Sequence, residues 1–171
     1  MYEAGGSSLK DVKYTVPILW DLNTSTIVNN ESSEIIRMLY DTSLLGKFAT
    51  KNQTLQLLPS ALTQHIVETN EWVYTHINNG VYKCGFANTQ QAYETAAHHL
   101  QAGFERANTL LSKSKFLCSD EHLTEADIRL FVTLIRHDEV YCVYFKTNHT
   151  SIVGGTKLFS LLWTILFSPF D

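Results

Sequence analysis

A chain of 171 residues, 44% of them apolar, is long enough to bury one good core, or a core and a fragment of a second. Its net charge of -4, with 13 Lys and Arg scattered singly, provides no basic stripe for phosphates and excludes nucleic acid as an expected partner. Three cysteines, Cys84, Cys118 and Cys142, form no CxxC pair and predict reduced thiols and a cytoplasmic protein.

The opening MYEAGGSSLK has neither the basic segment nor the apolar run of an export signal. The Asn-X-Ser/Thr sequences at Asn23, Asn30, Asn52 and Asn148 therefore read as chance matches. Residues 14–20 (YTVPILW) and 26–28 (TIV) are β-branched and apolar on either side of a turn cluster, which predicts a hairpin. A helix follows, with Asn29 or Asn30 as cap, Glu31 in its first turn and Ile35, Ile36 and Leu39 on its apolar face.

Backbone N–H groups at such a helix start, backed by its dipole, suit a carboxylate. Ser32 adds a hydroxyl donor and Glu31 can receive an ammonium, so a ligand with both groups on one carbon, such as a γ-glutamyl moiety, fits the corner. A cis Val16-Pro17 bond just upstream would turn the Val16 backbone outward to pair with an extended peptide. Ordinary helix capping and a plain edge strand are the competing readings of the same residues.

Residues 42–57 have no period and predict a linker. Beyond Pro59 the pattern is helical: Leu62, Ile66, Val73 and Ile77 recur at helical spacing, with Gly80 as a stop. Asn88 and Gln91 predict a capping box for a long helix burying Ala96, Leu100, Phe104, Ala107 and Leu111. In LTEADIRLFVTLIR, Thr124 and Asp127 form a second box ahead of a stripe of Ile128, Phe131, Leu134 and Ile135. Glu121 and Glu125 bracket that cap and suggest no acid-base work. The run LFSLLWTILF, residues 158–167, is about half of a bilayer span. It reads as a buried helix, an interfacial segment or foreign sequence. No HExxH occurs, and His98 and His99 diverge by about 100° on a helix, so no metal is predicted.

TVPILWD followed by TIVNNESSEIIRML, then INNGVYKCGFANTQQAYE, LTEADIRLFVTLIRHDEVY and YFK, closely resemble the xi-class glutathione transferases, the glutathionyl-hydroquinone reductases. The likeness runs from residue 14 to about residue 148. It implies an α+β chain: a partial thioredoxin-like fold, hairpin plus helix, in residues 1–45, an all-α glutathione transferase C-terminal helical domain in 58–148, and a divergent apolar tail in 149–171.

It also implies glutathione as co-substrate and quinone or hydroquinone conjugates as ligands. Val16, with Pro17, would pair with the cysteinyl backbone of glutathione, while Glu31 and Ser32 hold its γ-glutamyl end. Tyr82 and Tyr141 match tyrosines that line the family's quinone pocket, and Asp127 matches a helix-capping aspartate. The family attacks glutathionyl-hydroquinones with the cysteine of a Cys-Pro-Trp motif, takes the glutathione as a mixed disulfide and is freed by a second glutathione. That motif occurs nowhere in the chain, a third pocket tyrosine is missing, and the likeness stops after YFKTN. The expectation is a chain shortened at both ends, without a catalytic residue and inactive by itself. The alternative is a non-catalytic helical binding module. A homodimer through the helical domain, no metal and no transmembrane segment complete the expectations.

Overall fold

The computed structural model describes residues 16–40, 56–147, 151–153 and 156–167, and the chain divides into compact units of residues 1–55 and 56–171. In the first unit, β1 (Leu19–Asp21) and β2 (Thr26–Asn29) form the predicted antiparallel hairpin, with Trp20 opposite Ile27 and Asp21 opposite Thr26. Asp21 builds the turn: its Oδ1 accepts the N–H of Asn23 at 2.7 Å and that of Thr24 at 3.3 Å, while Ser25 adopts a left-handed φ of 56°. Strand pairing begins later than predicted. Residues 16–18 lie outside the ladder, and residues 14 and 15 lie outside the described residues.

Helix α1 (Ser32–Tyr40) also starts later, because the carbonyl of Glu31 accepts its first bonds, from Glu34 N–H at 3.1 Å and Ile35 N–H at 3.0 Å. Glu31 therefore occupies the cap expected at Asn29 or Asn30. The side chain of Asn29 is spent on the bend before the helix, where its Oδ1 accepts Glu31 N–H at 2.7 Å. Ile35 and Ile36 are half-buried and Leu39 is exposed, so α1 buries none of its residues fully. Most of the predicted linker, residues 42–55, falls outside the described residues.

The second unit is helical. A 3₁₀ turn (Ser60–Leu62) leads into α2 (Thr63–Trp72), which widens into a π-helical segment (Val73–Asn78) ahead of α3 (Gly80–Gly85). Then come α4 (Gln90–Leu111), α5 (Glu125–Arg136), a π turn (His137–Tyr141), the single turn α6 (Cys142–Tyr144) and α7 (Lys157–Phe167). Ile66, Val73 and Ile77 are buried as the spacing predicts, but Gly80 opens a helix instead of ending one. Asn79 keeps helical dihedrals (φ -87°, ψ -20°), so the chain never leaves the helical region there.

Helix α4 is capped by Thr89 and not by the predicted Asn88: Thr89 is extended, and its Oγ1 accepts Ala92 N–H at 3.1 Å. Its buried face holds Ala96, Leu100, Phe104, Ala107 and Leu111, as expected. Gly103 lies on that face. A Cβ there would stand 2.9 Å from His76 Cβ and Ile77 Cγ1, so the π-helical segment approaches α4 closer than a side chain would allow.

The capping box of α5 forms as predicted. Asp127 Oδ2 accepts from the N–H and hydroxyl of Thr124 at 2.9 and 2.8 Å, and its Oδ1 accepts Leu117 N–H at 2.8 Å, tying in the preceding loop. The buried stripe differs from the predicted one: Ile135 is 45% exposed and Ile128 and Phe131 are half-buried, while Ala126, Leu130, Thr133 and Leu134 are buried. Polar groups turn this face inward. Buried Glu125 lies 2.7 Å from Arg129 Nη2 and accepts from Asn70 Nδ2 at 2.9 Å, so it is matched inside the unit.

Of the readings open for the apolar run, the structure shows a helix with one buried face. Leu158, Leu161, Leu162 and Ile165 of α7 pack into the unit beside α4 and α5. Each contributes about 1.5–3 kcal/mol by leaving water. Trp163 and Phe167 face outward. Among the described residues, no helix is long and apolar enough to cross a membrane.

Candidate functional site

The hairpin register gathers the expected peptide-binding residues. Leu19 is paired with Asn29, so Val16-Pro17, just before β1, and Glu31-Ser32, just after β2, lie at the same end of the ladder. The Val16-Pro17 bond is cis and Val16 is exposed. Glu31 Oε1 accepts from Ser33 N–H at 3.3 Å, Ser33 Oγ at 3.1 Å and Ser32 Oγ at 3.5 Å. The carboxylate thus closes over its own helix start. An ionised carboxylate has about four acceptor sites on its two oxygens, so these bonds on Oε1 leave it able to receive an ammonium.

In the helical unit, α3 carries Tyr82 and the π turn ends on Tyr141, and their hydroxyls meet at 3.3 Å. Each tyrosine is placed by a π-helical stretch, one preceding α3 and one following α5. Tyr141 is buried, at 4% exposure, whereas Tyr82 is 40% exposed and gives the pair an open side. Burial and the Tyr82 hydrogen bond push the Tyr141 phenol up to about 12, outweighing the Arg136 guanidinium that lies 5.9 Å from its ring centre. Tyr141 is therefore a protonated donor at neutral pH. Two phenols bonded to each other use one proton between them and leave a second for a ligand oxygen, with lone pairs to accept from a hydroxyl.

Phe86 and Phe145 complete an aromatic cluster that sequence reasoning missed. The Phe145 ring lies 5.5 Å from Tyr82, 5.5 Å from Phe86 and 5.7 Å from Tyr141. Gly85 makes room for it: a Cβ there would fall 2.3 Å from Phe145 Cγ. The GF pair in YKCGF and the F of YFK were visible in the sequence, but nothing local said that they meet. Beside Phe86 opens a concavity of about 570 Å³, walled in part by Lys83, Gln91 and His99.

The three cysteines are free thiols, and burial pushes each one up from its ordinary value. Cys84, next to the tyrosine cluster in sequence, is buried and unsuited to thiolate attack.

Residues 90–150 match the family "Glutathione S-transferase, C-terminal domain". The chain is 40% identical to "Glutathione S-transferase omega-like 2" of Saccharomyces cerevisiae over 93% of its own length and 48% of the relative's. It is 41% identical to the "Glutathionyl-hydroquinone reductase YqjG" of Escherichia coli, covering 92% of this chain and 46% of that one. Among solved structures, glutathione transferase Xi 1 from Trametes versicolor superposes with a TM-score of 0.87 at 41% identity, over 97% of this chain and 56% of that one. The glutathione-bound E. coli YqjG structure also gives 0.87, at 38% identity, over 98% and 52%. The chain spans about half the length of the curated relatives it matches.

Proposed function

We propose that the chain belongs with the xi-class glutathione transferases over the half of their length that it spans, and that this half supplies the binding surfaces for glutathione-dependent reduction of glutathionyl-hydroquinones. The observation that carries the reading is the Tyr82–Tyr141 hydroxyl pair at 3.3 Å with one phenol on an open side. Tyr141 holds its proton, so the pair can donate to a quinol oxygen as charge develops there, while the surrounding rings pack against the ligand's face. At the hairpin end, Val16, beside Pro17, pairs with the cysteinyl backbone of glutathione, and Glu31 and Ser32 take its γ-glutamyl end.

The reaction needs a thiolate that attacks the glutathionyl sulfur and forms a mixed disulfide as the sulfur–ring carbon bond breaks, the ring carbon taking a proton to give the hydroquinone; the thiolate of a second glutathione then attacks the mixed disulfide, leaves with the first as a disulfide and returns the cysteine thiolate. No Cys-Pro-Trp occurs in these 171 residues, and the thiols present are held protonated by burial. This stretch binds, and the nucleophile comes from a Cys-Pro segment outside it. Free cysteines support a cytoplasmic setting, and a homodimer through the helical unit belongs to the same reading.

The test is deglutathionylation of a glutathionyl-hydroquinone, measured on the 171-residue chain and on the chain fused to the Cys-Pro-containing segment of a relative. Turnover is expected only from the fusion, and only while Tyr82 and Tyr141 are intact. Turnover by the chain alone, or none by a folded fusion, overturns the assignment. The second reading, a non-catalytic binding module, is favoured by the open side of Tyr82, and it predicts saturable hydroquinone binding without turnover in either form.

A further inference from the structure

The π turn assembles a second cluster, on residues that the phenol pair does not use. We propose that His137, Asp138 and Cys142 bind a divalent cation of borderline softness, of the zinc class. On an α-helix, residues five apart point about 140° away from each other. The wider π turn brings them together, and Cys142 Sγ stands 3.5 Å from His137 Nδ1. Asp138 Oδ1 lies 3.0 Å from the same nitrogen, and one ligand atom from each residue falls within 4.8 Å of the others. Zinc bonds of about 2.0–2.3 Å at tetrahedral angles separate neighbouring ligand atoms by about 3.4–3.6 Å. Small side-chain adjustments reach that geometry.

The supporting groups are in place. Thr147, itself buried, sets its Oγ1 3.2 Å from His137 Nε2, so the second ring nitrogen has a partner when Nδ1 turns to a metal. Ser151 Oγ and Val153 N–H each donate to Asp138 Oδ2 at 3.0 Å, and Ile152 N–H straddles the carboxylate at 3.0 Å from Oδ1 and 3.1 Å from Oδ2, which holds Oδ1 beside the imidazole. His137 is fully buried, while the Asp138 side chain is 21% exposed and Cys142 is half-buried, so an ion enters from their side and keeps a water in its fourth position. A thiolate and a carboxylate neutralise a divalent charge. Loading releases one proton, from the thiol, as the imidazole proton moves to Nε2 opposite Thr147. An ion there would brace the turn that carries Tyr141.

The experiment titrates the tag-free 171-residue chain with cobalt(II). The expected result is a thiolate-to-cobalt charge-transfer band saturating at one equivalent, lost in Cys142→Ala and His137→Asn and kept in Cys84→Ala. Zinc is expected to raise the Tm of the unsubstituted chain and to leave that of Cys142→Ala unchanged, a comparison that holds even where the His137 variant folds poorly. Absence of the band at stoichiometric cobalt, or its persistence in Cys142→Ala, overturns the proposal.

Discussion

Substituting Gly85→Ala tests whether the aromatic cluster is as close-packed as the structure shows. The new Cβ would stand 2.3, 2.4 and 2.7 Å from Cγ, Cδ1 and Cδ2 of Phe145, against a favourable carbon separation of about 3.5–4.0 Å. Cγ lies one bond beyond Cβ and moves only when the whole ring turns about χ1 or the backbone yields, so the ring has to shift by about 1 Å or more. That shift strains its packing on Tyr82, Phe86 and Tyr141 together. Overpacking of this kind costs about 1–3 kcal/mol. For a unit of this size it lowers Tm by about 4–12 °C. Gly80→Ala is the internal control: its Cβ would meet Leu100 Cδ1 at 3.4 Å, an ordinary contact, and gains up to about 1 kcal/mol of helix propensity. Thermal melts followed by circular dichroism, with an alkaline absorbance titration of the tyrosines, read both effects. A Gly85→Ala melt matching that of Gly80→Ala, with an unchanged tyrosine titration, would refute the close packing.

Asp127→Ala strands three buried donors, on Leu117 and Thr124, and is expected to cost about 3–5 kcal/mol in urea unfolding; a loss below about 1 kcal/mol contradicts the cap's role. Burial lowers His137 from its ordinary 6.5, so the folded state binds fewer protons than the unfolded one. Stability should hold above pH 6.5 and fall as pH drops below it, a slope read from urea midpoints and reduced in His137→Gln. Tyr141, raised from 10.0 to about 12, works in the opposite direction: its share of stability is complete below pH 10 and fades as pH climbs through about 12. One tyrosine should therefore ionise last in the alkaline titration, and Tyr141→Phe should remove that step; simultaneous ionisation of all tyrosines at their ordinary value would count against the buried pair.

Local patterns were legible where one side chain decides one turn. TxxD before an apolar run gave the α5 cap, and the 3.6-residue period gave the buried face of α4. Helix starts moved by a residue or two because several hydroxyls and amides compete for each cap, and backbone dihedrals select Thr89 over Asn88. The α5 stripe was misplaced because hydropathy cannot foresee that Glu125 and Asp127 find partners inside. Tyr82 and Tyr141 were named from resemblance, but their meeting depends on two π-helical stretches that no local spacing announces. The same stretches hid Phe145 beside Gly85 and the approach of Cys142 to His137.

The most direct measurement is calorimetric titration of the chain with an unconjugated hydroquinone, run in parallel on Tyr82→Phe/Tyr141→Phe, whose rings and packing are retained while both hydroxyls are removed. Saturable one-to-one binding by the chain, and its loss in the double variant, are the expected results. Equal binding by both proteins, or none by the folded chain, would contradict the assignment of the phenol pair as the quinol site.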